Sequence, residues 1–142
     1  MAKLTTLKAD ASKESGGVWV EWEHGVSLLV ARLNNTGFQA AIRELTTPHT
    51  KEIRSGKISD AKMEELSRKA MATHVLLDWK NIEDDDGAPL EYTPEMAFEL
   101  LNDPGLRDLY QFVLTTANER ELYRLEAEDE SRGNSQAVSS GA

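Results

Sequence analysis

The stretch 71-MATHVLLDWKNIEDDDGAPLEYTPEMAFELL-101 decides how the chain is divided. It reads as the apolar end of one helix, an acidic turn and the start of another helix. Val75, Leu76, Leu77 and Trp79 form the densest apolar cluster ahead of the break. Glu83-Asp84-Asp85-Asp86-Gly87 then stop the helix, and Pro89 fixes the exit. Thr93 supplies a hydroxyl N-cap and Pro94 falls at the first helical position, where a missing N–H costs nothing. The segment joins two halves of a small helical protein.

Upstream of it, residues 1–16 are polar and predict a flexible N-terminal arm. Between Gly17 and Leu33 the pattern changes to period two. Val18, Val20 and Trp22 alternate with Trp19, Glu21 and Glu23, and Val26, Leu28 and Val30 alternate with Ser27, Leu29 and Ala31. His24-Gly25 sits between the two runs, the signature of a β-hairpin over 17–33. A lone hairpin is marginal in water, so one face must pack on a helix or another chain. Asn34 to Gly37 read as turn or cap chemistry. Phe38, Ala41, Ile42 and Leu45 then recur at helical spacing up to Pro48. Residues 48–57 read as a loop with a helical turn near Glu52. Ser59 caps a second helix, expected to reach Trp79 or Lys80.

Beyond the acidic turn, Met96, Ala97, Leu100 and Leu101 predict a short helix. Asp103 and Pro104 predict a cap and first residue of another, carrying Leu106, Leu109, Tyr110, Val113 and Ala117. The later Leu122 and Leu125 fall out of register, so the far end bends or leaves the core. The fold class read from these patterns is α+β, mainly α-helical. An N-terminal β-hairpin packs on a bundle of about four helices, within one globular domain over 17–126 (helical over 36–126). The last residues, 127–142, rich in Ser, Gly, Asn and Gln, predict a disordered C-terminal tail.

Charge and composition narrow the functions. The 142 residues carry 25 acids against 16 bases, a net charge of −9. Phosphate contacts need a basic face, and the only visible concentration of bases is Lys62, Arg68 and Lys69, so nucleic acid is not an expected partner. There is no cysteine, which removes disulfides and thiolate metal sites and fits a reducing cytosol. No apolar run suits a signal peptide or a membrane span.

Catalytic and metal chemistry find little support. Setting Gly87 at the sixth position of a calcium loop aligns Asp84 and Asp86 as ligands. It also puts Ile82 first and Thr93 last, so both anchoring positions fail. His24, His49 and His74 have none of the spacing of a helical zinc pair. No Gly-x-Ser-x-Gly elbow and no phosphate-cradling loop occurs. No catalytic residue, cofactor or metal is expected; a small hydrolase or metal-binding enzyme is the weakest reading. The tryptophans say more. Trp and Tyr often anchor interfaces, and the second hairpin face, Trp19, Leu29 and Leu33, is the candidate partner-binding surface. The open edge of the hairpin could add a strand, including one from another copy. Trp79 and Tyr92 are expected to fix the central turn against the core.

The region from Leu76-Leu77-Asp78-Trp79-Lys80-Asn81-Ile82 onward resembles tail assembly chaperones of long-tailed, siphovirus-type bacteriophages. The acidic Gly87 turn, Pro89 and Tyr92-Thr93-Pro94-Glu95 continue the likeness. It extends through Ala97-Phe98 and Leu100-Leu101 to Phe112-Val113, covering roughly 70–125. The resemblance implies a non-enzymatic factor in the host cytoplasm that binds the tape-measure protein and recruits tail-tube protein. Such a factor leaves before the tail matures, and many of them are also made in a longer, frameshifted form. A structural virion component, such as a tail terminator or head–tail joining protein, is the alternative.

Overall fold

The computed structural model describes residues 1–125; the expected tail, 127–142, lies outside the described residues. Helices α1 (Leu4–Leu7) and α2 (Ala11–Gly16) come first, then strands β1 (Val18–Glu21) and β2 (Ser27–Val30). Helix α3 (Thr36–Thr46) runs through a 3₁₀ turn (Thr47–His49) into α4 (Thr50–Arg54), followed by α5 (Asp60–His74). Strand β3 (Leu76–Lys80), α6 (Pro94–Leu101) and α7 (Arg107–Ala117) complete the larger elements, with 3₁₀ turns at Pro104–Leu106 and Arg120–Tyr123. The protein is mainly helical α+β.

The hairpin forms at its expected place. His24 (φ 57°) and Gly25 (φ 76°) both lie in the left-handed region, as a type I′ turn requires. Val18 pairs with Val30 and Glu21 with Ser27. Leu28 and Val30 are fully buried, and Trp22 lies against Phe112 of α7 with ring centroids 6.1 Å apart.

The hairpin is not alone, and here the expectation fails. The second helix stops at His74, and Leu76–Lys80 joins β2 as a third antiparallel strand in the order β1-β2-β3. Side chains take the last carbonyls of α5. Asn35 Nδ2 donates to the His74 carbonyl at 2.9 Å, and the Tyr92 hydroxyl lies 2.7 Å from the Ala72 carbonyl. Those orphan acceptors are thereby satisfied without a further turn. The Ala31 N–H then takes the Val75 carbonyl at 2.8 Å, which starts the strand. Leu28 faces Trp79 and Leu29 faces Asp78, but Val30 faces Leu76, so the register slips and Leu77 is the extra residue.

The core lies between the inner face of this sheet and α3, α5, α6 and α7. Leu28, Val30, Leu76 and Trp79 meet Met71, Ala97, Leu101, Leu109 and Val113 there. Capping side chains set the helix starts, Asp10 for α2 among them. The Asn35 Oδ1, Ser59 Oγ, Thr93 Oγ1 and Asp103 Oδ1 atoms accept from the backbone N–H groups of Phe38, Lys62, Met96 and Gly105. Asn35 also donates to the Arg32 carbonyl at 2.7 Å, so one buried residue ties α3 to the ends of β2 and α5.

The segment read as a flexible arm is tied to the body by main chain. Asp10 N–H donates to the Tyr123 carbonyl at 2.7 Å and Leu125 N–H to the Lys8 carbonyl at 3.0 Å. The Leu4 and Leu7 side chains stay exposed. Tyr123, expected on no stripe, is completely buried and donates its hydroxyl to the Val30 carbonyl at 3.0 Å.

Candidate functional site

The three-stranded sheet has two edges, and the sequence treats them differently. Beside β3, the Asp78 carboxylate accepts the Trp79 N–H at 2.8 Å, and the Tyr92 hydroxyl lies 2.8 Å from the Leu76 carbonyl. Trp79 is buried, donates its indole N–H to the Leu90 carbonyl at 2.7 Å and meets the Tyr92 ring edge-on at 5.1 Å. The segment following the acidic turn is thereby fastened along β3. Burial pushes the Tyr92 phenol up to about 12, helped by the negative charges of Asp78 and Glu95. The phenol therefore stays a donor throughout the neutral range.

The β1 edge has no such cover. Among the described residues, no hydrogen bond reaches the backbone of Val18–Glu21 apart from those to β2. An uncovered edge is a template for another strand. Trp19 stands on the outer face of this strand, 40 % exposed. It lies opposite Leu29, with the Lys80 ammonium 4.2 Å from its ring centroid. A cation over an indole face is attracted by the ring's quadrupole. Trp19 and Leu29 thus form one surface. Leu33 does not join it: its N–H donates to the Ala117 carbonyl, and its side chain lines a groove with α3 and α5.

The other sequence features resolve into structural roles. Asp84 Oδ1 accepts from the N–H groups of Asp86 and Ala88, closing the acidic turn on itself. Asn81, in the left-handed region, donates from Nδ2 to the Gly25 carbonyl and joins the turn to the hairpin tip. His24 is exposed, His49 lies 3.1 Å from Glu52, and His74 sits against Gly37. Lys62 and Lys69 both approach Glu65, and Arg68 approaches Glu64 while its guanidinium covers the Tyr110 ring. Among the described residues, no group of three or more His, Cys, Asp or Glu side chains could hold a metal ion, and no helix is long and apolar enough to cross a membrane. The groove and the edge capping of β3 escaped the sequence reading. The Asn34-Asn35 pair was the available signal for the groove's near end.

The fold is small, mainly helical α+β, with one covered and one uncovered sheet edge. The chain belongs to the YdaY prophage protein family, whose model matches residues 33–134, and it is therefore phage-derived. No curated protein and no solved structure gives a significant match. The matched segment contains α3 to α7 and the acidic turn, and it begins after the hairpin.

Proposed function

We propose that the protein is a tail assembly chaperone, a non-enzymatic factor that binds the tape-measure protein in the host cytoplasm and recruits tail-tube protein. Phage origin supports the setting, and the uncovered β1 edge beside Trp19 is the observation that carries the binding role. Main-chain pairing along β1 supplies affinity that depends little on client sequence, while Trp19 and Leu29 add an apolar anchor. Many modest contacts of this kind suit temporary cover of a long apolar client. A net charge of −9 keeps a loaded complex soluble. The same edge would pair with β1 of a second copy.

Co-expression with the tape-measure protein of the same genome tests the reading. The client stays in the supernatant with the parent chain and precipitates with Trp19→Asp. Equal precipitation with and without the chain would sink the proposal. The alternative, a structural virion component, predicts that the protein persists in purified particles, whereas a chaperone is absent by mass spectrometry of intact virions.

A further inference from the structure

A second surface lies away from the sheet edge. Helices α3 and α5, with Leu33 and Leu114, enclose a groove of about 480 Å³. Its apolar wall is made by Leu33, Phe38, Ile42, Met63, Leu66 and Leu114. Two polar side chains in the lining are already spent on local backbone. Gln39 Nε2 donates to the Asn34 carbonyl at 2.6 Å and the Thr46 hydroxyl to the Ile42 carbonyl at 2.7 Å. Met63 is 37 % exposed at the rim, and its unbranched thioether adapts to varied apolar shapes. Arg43 is the one charged residue in the lining, and among the described residues it makes no salt bridge.

We infer that this groove takes the apolar stripe of an amphipathic α-helix from a partner polypeptide, with an acidic side chain of that helix meeting Arg43. The inference rests on the reading of the protein as a polypeptide-binding factor. Helical walls have their backbone groups bonded internally, so the groove offers no ladder to an extended chain. An incoming helix brings its own backbone bonds satisfied and needs only apolar cover. The guanidinium has no carboxylate partner among the described residues, and the groove lining supplies none, so it selects a helix bearing Glu or Asp. Every lining residue falls between 33 and 114, inside the segment shared with the family, whereas Trp19 and Leu29 fall outside it. The groove is thus the binding surface the family segment carries whole.

The test uses the full chain and a labelled, stapled helical peptide with leucines at i, i+4 and i+7 and one glutamate a turn further on. Its controls are the same peptide with lysine for glutamate and a scrambled sequence. Fluorescence anisotropy should show saturable binding of the glutamate peptide alone, weakened roughly tenfold by Arg43→Glu and by Met63→Glu, with unchanged circular dichroism and Tm. Amide shifts should cluster on α3 and α5. Binding no better than the scrambled peptide, or binding indifferent to both variants, overturns the inference. Concentration-dependent self-association abolished by Met63→Glu would give the groove to a second copy and also overturn it. A parallel pull-down of the tape-measure protein separates the two proposals. Peptide binding without client capture removes the chaperone reading and leaves the groove. Client capture lost only in Trp19→Asp leaves the chaperone reading and assigns the client to the sheet edge.

Discussion

Tyr92→Phe removes one oxygen atom from the seam along β3 and leaves the ring on Trp79. In the parent, that hydroxyl lies 2.7 Å from the Ala72 carbonyl and 2.8 Å from the Leu76 carbonyl, sharing its single proton between the end of α5 and the edge of β3. A hydrogen bond contributes about 0.5–1.5 kcal/mol net, and a stranded buried acceptor costs about 1–3 kcal/mol. Two carbonyls lose their partner, but Tyr92 is only half-buried, so water recovers part of the loss. The expected cost is about 1–2 kcal/mol, a roughly five- to thirtyfold rise in the unfolding constant. Urea unfolding followed by tryptophan fluorescence reads this as a lower midpoint with an unchanged slope, because the surface exposed on unfolding is the same. A midpoint indistinguishable from the parent would show that the hydroxyl does not terminate α5, and the account of why β3 exists would fail with it.

Other substitutions and conditions probe the same architecture. Asn35→Ala deletes the α3 cap and strands the His74 carbonyl, while the Arg32 carbonyl keeps the backbone N–H of residue 35, so thermal unfolding should report a loss of about 2–3 kcal/mol. Gly37→Ala should destabilise by about 1–3 kcal/mol despite alanine's better helix propensity. Its Cβ would stand 2.7 Å from His74 Nδ1, and a gain in Tm would contradict that packing. In alkali, Tyr92 and Tyr123 both hold their protons more tightly in the fold than in the unfolded chain, chiefly through burial. Their contribution is complete below the ordinary phenol range. It is lost as pH rises from about 10, where the unfolded phenols ionise, through the folded values. Tm measured against pH should therefore fall more steeply across that window in the parent than in Tyr92→Phe.

Much of the fold was legible because its punctuation is local. Ser59, Thr93, Asp103 and the His24-Gly25 pair act within a few residues of themselves, and each stands where its chemistry placed it. Strand β3 was misread for a definite reason. The slip opposite Leu29 and Val30 brings Leu76 and Trp79, three residues apart, into the same core. Spacing of three is the mark of a helix, so a bulged strand following a real helix extends the helical pattern without a break. The tie between the first residues and Tyr123–Leu125 was invisible because every acceptor in it is a main-chain carbonyl, reached by backbone N–H groups and by the Lys13 and Arg124 side chains across more than a hundred residues. Of the surface, the sequence could mark Trp19 and Leu29 as outward neighbours, since strand alternation is a local rule. It could not place Leu33, which follows the strand and turns toward α3. The groove needs residues as distant as Leu33 and Leu114, and no spacing rule joins them.

The unequal edges of the sheet also limit how copies of the chain can assemble. Growth of a filament by edge pairing needs two complementary rims on each subunit, so that every addition exposes a fresh one. Here Asp78 and Tyr92 occupy one rim, so a pair joined through β1 about a twofold axis presents only blocked strands outward. Association through the sheet closes at two subunits, and any longer array must be built on a different surface.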